Sequence, residues 1–262
     1  MPGLNYHIEN EVATIVLNNP PQNRIGDQMI DELEDAINAV GGSNARALLI
    51  RAEGKNFSFG GDIVPWPNLA THELRVRFER YMAVFNRFER IPLPVVGAVH
   101  GVCFGGGLEL ALRADVIFAA ASSVFGHPEQ TLGIVTLLGG IYRIAERAGR
   151  ARAFQWALTS EKVSASTMER FGIVNQVVDD AELVSQAVAF TEKAARGPTR
   201  AYAAHKTLLR AWAIGGVTAA DEAMLDIAMP LFETEDVREG LASAIRALKA
   251  STERPLLDFK GR

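Results

Sequence analysis

The spacing of apolar residues changes along the chain, and it predicts alternating strands and helices in the first half. Short runs of β-branched and apolar residues predict strands at 12–17, 47–50, 93–99 and 116–120. Between them, apolar residues at helical spacing predict helices at 27–40, 71–90 and 106–114. Strands that alternate with helices are typical of an α/β fold with parallel strands.

The second half of the chain has a different pattern, in which helical spacing dominates. Beyond about residue 140 the only strand-like run is 172–178. Helices are predicted at 198–213, 218–232 and 234–250, with Pro198 in a first turn. Two explanations stay open: these helices pack on their own chain, or they cover a neighbouring subunit.

Composition and charge exclude several classes of protein. The 262 residues include 27 basic and 31 acidic side chains, so the net charge of −4 leaves no basic excess for binding nucleic acid. No apolar run is long enough to predict a membrane span, and the first residues lack the pattern of a signal peptide. Cys103 is the single cysteine, which excludes an intramolecular disulfide. We therefore expect a cytoplasmic protein with no nucleic-acid or membrane partner.

Two glycine-rich stretches, 54–62 and 101–109, each follow a predicted strand. Glycine lets another atom approach the backbone closely, so peptide N–H groups become available as donors. The second stretch opens a helix, whose free N–H groups favour an anion or a developing oxyanion. Neither stretch matches the phosphate-loop or dinucleotide-binding pattern.

Two glutamates stand in apolar surroundings near the second stretch. Glu109 lies in the first turn of the predicted apolar helix, and Glu129 follows the next predicted strand. A buried carboxylate is costly unless it is paired or functional, and two close carboxylates share a proton. This arrangement suits one general base and one general acid. No cluster of His or Cys predicts a metal site.

Several motifs, in order, resemble those of the crotonase (enoyl-CoA hydratase/isomerase) superfamily. Residues 57–63, Phe-Ser-Phe-Gly-Gly-Asp-Ile, are similar to the family motif F-[SC]-A-G-x-D-[IL]. Residues 96–115 resemble its longest signature, and 125–129, Phe-Gly-His-Pro-Glu, resemble the next one. Together with the closing 259–262, the resemblance covers nearly the whole chain.

The resemblance implies a fold, an assembly and a class of substrate. The expected fold is a crotonase-like spiral of ββα turns over residues 1–197. A helical C-terminal region over residues 198–262 would serve oligomerisation, as a homotrimer or a dimer of trimers, and would cover the active site. The substrate would be an acyl-coenzyme A thioester, with no permanently bound cofactor.

The resemblance also assigns roles to residues. The backbone amides of Gly61 and Gly106 would hold the thioester oxygen as an enolate forms. Glu109 would activate the water that attacks the β-carbon, and Glu129 would deliver the proton to the α-carbon. Contacts with the coenzyme would come from residues of the first motif and the C-terminal tail, namely Phe57, Phe59, Asp62, Ile63 and Lys260. From the residues alone, Asp62 in its Gly-Gly-Asp turn is expected to cap the following backbone.

Two departures from the family pattern concern the substrate pocket. Phe59 stands where the family usually has alanine, and its bulk is expected to reshape the coenzyme pocket. The chain has Thr136-Leu137 where the family usually has proline and glycine, which adds apolar volume near the acyl pocket and indicates a non-standard acyl group. The aromatic row Phe78, Tyr81, Phe85 and Phe88 is most simply a core stripe, although helices at this place in the family often line the acyl tunnel.

Three functions remain open, and the first is favoured. An enoyl-CoA hydratase needs two groups to handle a water, and this chain has both glutamates. An isomerase shuttles a proton between two carbons and needs only one base. A non-catalytic acyl-CoA-binding subunit would keep the fold, and the intact pair of glutamates argues against it.

Overall fold

The computed structural model describes residues 3–262, which form nine strands and nine α-helices. The strands are β1 (Leu4–Glu9), β2 (Val12–Leu17), β3 (Ala47–Ala52), β4 (Val95–Val99), β5 (Val102–Phe104), β6 (Val116–Ala120), β7 (Val124–Gly126), β8 (Val163–Ser164) and β9 (Gln176–Val178). The helices are α1 (Asp27–Gly41), α2 (Thr71–Glu89), α3 (Gly106–Ala111), α4 (Gly140–Ala148), α5 (Arg150–Thr159), α6 (Ala165–Arg170), α7 (Leu183–Ala195), α8 (Thr199–Ala228) and α9 (Glu235–Ala250). The mixed α/β architecture with a helical C-terminal region is the one that the sequence predicts.

The strands form two sheets. The larger has the order β1-β2-β3-β4-β6-β9, in which β1 is antiparallel to β2 and the other neighbours are parallel. The smaller has the order β5-β7-β8, with β5 and β7 parallel. Strands β3 and β4 are buried on both faces, which explains their nearly continuous apolar runs. The main core lies on the side of α1 and α2, and a second apolar cluster joins the sheet to α7.

Most predicted elements of the first half are confirmed to within a few residues. Strand β2 has the predicted bounds, and helices α1 and α2 differ from prediction by one residue at their ends. Asp27 is the first residue of α1, and Gly26 occupies the N-cap position. The strand predicted at 172–178 is shorter, Gln176–Val178, because 171–175 form the turn after α6.

One of the C-terminal helices is longer than the sequence predicts, whereas α9 matches its predicted bounds to within one residue. Helix α8 runs through the gap expected between 213 and 218, with one non-helical residue, Gly216, at a φ of 73°. Pro198 precedes the helix as its N-cap instead of lying within its first turn. Large apolar side chains on α8 and α9 face solvent, including Leu209, Ile214, Leu225 and Leu248.

The C-terminal tail is fixed against α9 by backbone donors. The amides of Lys260 and Gly261 donate to the carboxylate of Asp236 at 2.7 and 2.9 Å. The amide of Phe259 donates to the carbonyl of Arg196 at 2.9 Å, which ties the tail to the end of α7. Across residues 3–262, no helix is long and apolar enough to cross a membrane.

Candidate active site

The first glycine-rich loop turns one backbone amide toward a cavity. Ile25 donates its N–H to the carbonyl of Gly60 at 2.9 Å and accepts from the N–H of Asp62 at 2.8 Å. Because these bonds come from the two residues that flank Gly61, the N–H of Gly61 points away from Ile25. Gly61 lines the cavity.

The second loop brings a second amide beside the first. Gly106 is the first residue of α3, so its N–H has no acceptor within the helix. A Cβ built on Gly106 would lie 3.4 Å from the nitrogen of Gly61, so the two amides are neighbours. The loops touch directly at Gly107, where a Cβ would lie 2.5 Å from the Cβ of Ser58. Only glycine at this position allows the approach that places the two amides together.

A cavity of about 230 Å³ contains both amides and both glutamates. Its remaining wall is mostly apolar and comes from the 3₁₀ turn at Trp66–Asn68, from α2 and from the segment 128–138. No group of three or more His, Cys, Asp or Glu side chains within the described part of the chain is placed to hold a metal ion.

Glu109 is held in one orientation by backbone donors. Its side chain is buried, and Oε1 accepts hydrogen bonds from the amides of Leu138 at 2.8 Å and Gly140 at 2.9 Å. Burial raises the pKa of Glu109, and these two hydrogen bonds oppose the rise because they favour the ionised form. The carboxylate is therefore fixed at the cavity with its charge partly stabilised.

A buried arginine supports the loop that binds Glu109. The side chain of Arg113 is fully buried, and its Nη2 donates to the carbonyl of Leu138 at 2.8 Å. Its Nη1 donates to Asn86 at 2.7 Å and to the carboxylate of Glu89 at 2.9 Å. Arg113 thus fixes the Leu138 residue whose amide donates to Glu109.

We expect Arg113→Leu to lower the free energy of unfolding by about 3 kcal/mol, because buried acceptors on Asn86 and Leu138 lose their donor. Urea denaturation at fixed protein concentration measures this change. The matched control is Arg75→Leu, which removes an exposed ion pair with Glu79 and should cost less than about 1 kcal/mol. Equal effects of the two substitutions would contradict the role of Arg113.

Glu129 lines the same cavity, in a less polar setting than Glu109. Burial raises its pKa to about 7, and the nearby charge of Glu109 adds to the rise. Within residues 3–262 its Oε2 has no hydrogen-bond partner, and Nδ1 of His127 lies 3.7 Å away. Burial lowers the pKa of His127 to about 4, so this ring is neutral at neutral pH and adds no positive charge. At neutral pH Glu129 therefore keeps a proton far more readily than an exposed glutamate does.

The structure brings together six of the nine residues that the sequence singles out. The cavity is lined by Phe59, Gly61, Ile63, Gly106, Glu109 and Glu129.

The other three lie outside the cavity. Phe57 is fully buried in the main core, and Lys260 lies on the tail with its Nζ 3.4 Å from Glu235. Asp62 accepts a hydrogen bond from the amide of Val64 at 3.3 Å, which confirms its expected capping role.

Sequence reasoning missed several residues that shape the site. Trp66 lies on the wall of the cavity, and it belongs to a three-residue turn without any periodic pattern. The aromatic row of α2 divides between the two roles considered for it: Phe78 and Tyr81 line the cavity, whereas Phe85 and Phe88 are fully buried in the core.

Comparisons with known proteins identify the family of the chain. The enoyl-CoA hydratase/isomerase family model matches residues 7–251. A crotonyl-CoA hydratase of Syntrophomonas wolfei is 32% identical over 249 residues, 93% of this chain and 95% of that protein. A 1,2-epoxyphenylacetyl-CoA isomerase of Escherichia coli is 34% identical over 199 residues, 74% of this chain and 76% of that protein.

Solved structures show the same fold. The crystal structure of an enoyl-CoA hydratase from Thermoplasma volcanium has a TM-score of 0.87 at 26% identity, over 92% of this chain and 97% of that chain. The family match spans most of the chain, and it includes both glutamates and both glycine-rich loops. The chain therefore belongs to the enoyl-CoA hydratase/isomerase family.

Proposed function

We propose that the protein is an enoyl-CoA hydratase, which adds water reversibly across the α,β double bond of an enoyl-CoA thioester. Members of its family act on CoA thioesters. The observation that carries the proposal is one cavity holding two paired amides and two glutamates of unlike environment. Paired amides stabilise an enolate oxygen, and two carboxyl groups can divide the base and acid roles of water addition.

The geometry supports a division of labour between the glutamates. The thioester oxygen would accept hydrogen bonds from the amides of Gly61 and Gly106 as the enolate forms. Glu109, whose ionised form is favoured by two backbone donors, would take a proton from the water that attacks the β-carbon. Glu129, which keeps its proton up to about pH 7, would give that proton to the α-carbon. The pair begins and ends the reaction with one proton.

This proton count predicts the pH dependence. The pair must hold one proton, and Glu129 loses it with a pKa of about 7, so kcat/KM should fall tenfold per pH unit above that value. Hydration consumes no net proton, and the equilibrium constant therefore requires the same profile in the dehydration direction. Measuring kcat/KM from pH 5 to 9 in both directions checks this. A rate that rises between pH 7 and 9 would contradict the assignment.

The enoyl-CoA isomerase alternative stays open because the family that the chain belongs to includes both hydratases and isomerases. Purified protein should consume the enoyl absorbance of crotonyl-CoA if it is a hydratase. Conversion of a 3-enoyl-CoA without any loss of crotonyl-CoA would identify an isomerase instead. If the protein binds an acyl-CoA and catalyses neither reaction, the hypothesis of a non-catalytic acyl-CoA-binding subunit would be supported.

We also propose how the coenzyme is held. Phe59 and Ile63 are partly exposed and line the cavity, and in this proposal they would contact the pantetheine or adenine part. Asp62 shapes the backbone between them, and Phe57 supports that loop from the core. Lys260 would reach the coenzyme bound to a neighbouring subunit, because its own chain places it outside the cavity.

The proposed assembly is a homotrimer or a dimer of trimers built by residues 198–262 around the core of residues 1–197. Its support is the row of exposed apolar side chains on α8 and α9, which a partner subunit would cover. Light scattering measures the mass directly, and a monomer would contradict the assembly. A cytoplasmic location stays a prediction.

A further inference from the structure

One wall of the active-site cavity consists of three aromatic rings. The ring centroids of Trp66 and Phe78 are 5.2 Å apart at an interplanar angle of 84°. Those of Phe78 and Tyr81 are 6.0 Å apart at 77°. These are edge-to-face contacts, which hold aromatic rings in defined mutual orientations. The rings therefore form a preorganised surface that lines the cavity.

This aromatic wall adjoins the place where the thioester oxygen would lie. A Cβ built on Gly61 would be 3.2 Å from Cζ2 of Trp66, so the indole stands beside the Gly61 amide. The hydroxyl of Tyr81 donates to Asp27 at 2.7 Å, and so it is already paired. The substrate thus meets the rings themselves and no free hydroxyl from this wall.

The cavity is also lined by a set of aliphatic side chains. These are Leu132, Ile134, Leu137 and Leu138, and Leu137 stands where the family usually has glycine. Among the cavity-lining residues in the described part of the chain, the charged side chains are Arg24 and the two glutamates. The cavity therefore suits an uncharged acyl group that can contact both aromatic rings and aliphatic side chains.

We infer that the acyl group of the substrate is a 3-aryl-2-enoyl group, in which a phenyl ring is conjugated with the double bond. The inference rests on the proposed hydratase function. A flat ring can lie against the aromatic wall and make edge or face contacts with Trp66 and Phe78. A four-carbon acyl group leaves these rings uncovered, and a flexible chain of equal volume loses more conformational freedom on binding.

The test compares three 3-hydroxyacyl-CoA substrates in the dehydration direction, because conjugation with the ring opposes hydration. They are the 3-hydroxy-3-phenylpropanoyl, 3-cyclohexyl-3-hydroxypropanoyl and 3-hydroxybutanoyl thioesters. We expect kcat/KM for the phenyl substrate to exceed that of the other two by about tenfold or more. The cyclohexyl substrate matches the phenyl ring in size and lacks its π system. It also lacks the conjugation that itself favours dehydration, so the change of the phenyl-to-butanoyl ratio in the wall variants below separates the effect of the cavity from that of intrinsic reactivity.

The outcomes separate this inference from the proposed function. Dehydration of the butanoyl substrate at the highest kcat/KM would overturn the inference and leave the hydratase intact. Equal kcat/KM for the cyclohexyl and phenyl substrates would also overturn it, because the cavity would then select ring volume alone. If no substrate is dehydrated, the proposed function fails first, and the inference that rests on it falls too.

Substitutions in the wall locate the selectivity. Trp66→Leu and Phe78→Leu are each expected to lower the phenyl-to-butanoyl ratio of kcat/KM by about tenfold. The matched control is Tyr6→Leu, which removes an exposed ring on the edge strand β1 and should leave the ratio unchanged. Circular dichroism establishes that each variant is folded. An unchanged ratio in both folded wall variants would overturn the inference.

Discussion

Glu109→Gln and Glu129→Gln are each expected to lower kcat by about 10³-fold, with the enoyl-CoA that the wild type uses fastest. Glutamine at 109 keeps an oxygen that can accept from the amides of Leu138 and Gly140, so the loop stays in place while the base is lost. Glutamine at 129 removes the proton donor and breaks no hydrogen bond of Oε2. Loss of kcat therefore reports on chemistry and not on folding.

The control for both variants is Glu79→Gln on the exposed face of α2, which should change kcat by less than about twofold. Retention of a tenth or more of the wild-type kcat in either glutamine variant would remove that carboxyl group from the reaction. If only Glu129 proved dispensable, and 3-enoyl thioesters were converted, the isomerase reading would replace the hydratase.

Gly106→Ala should lower kcat by about 10²- to 10³-fold, as much as losing one oxyanion donor usually does, because the added methyl group displaces the thioester oxygen from the amides. The added methyl group would lie 3.4 Å from the nitrogen of Gly61 and 3.6 Å from Cδ1 of Ile25. These are ordinary contacts, so the fold should be kept. The methyl group nevertheless takes up space between the two amides, where the enolate oxygen would bind.

Steady-state kinetics measures this loss, and Gly41→Ala is the matched control. Gly41 ends α1, and a Cβ there meets no atom within 4 Å, so kcat should be unchanged. A Gly106→Ala enzyme with the full wild-type kcat would show that the thioester oxygen binds elsewhere.

The central strands could be predicted from sequence because burial on both faces leaves a continuous apolar run. Residues 47–50 have that run, and the strand extends only to Ala52. Strand β1 could not be predicted in this way. It lies at the edge of the sheet, and within Leu4–Glu9 only Leu4 is buried, so no apolar alternation marks it.

The residues of the candidate site also differ in whether the sequence alone reveals them. Glu109 and Glu129 could be found because a carboxylate among apolar residues is costly, and the glycine-rich loops indicate close backbone contact. The amides of Leu138 and Gly140 could not be found, because any residue type supplies an N–H group. Arg113 gave no signal either, since its partners Asn86, Glu89 and Leu138 are distant in sequence.

The backbone amides of Leu138 and Gly140 donate to Glu109, so the charge of its carboxyl group can be followed by nuclear magnetic resonance. A hydrogen bond to an ionised carboxylate is shorter and stronger than one to a protonated carboxyl group. The amide proton shifts of Leu138 and Gly140 should therefore move together, with one shared midpoint, as Glu109 gains its proton. The resting protein thus carries two internal indicators of where the catalytic proton resides, readable at equilibrium and without turnover.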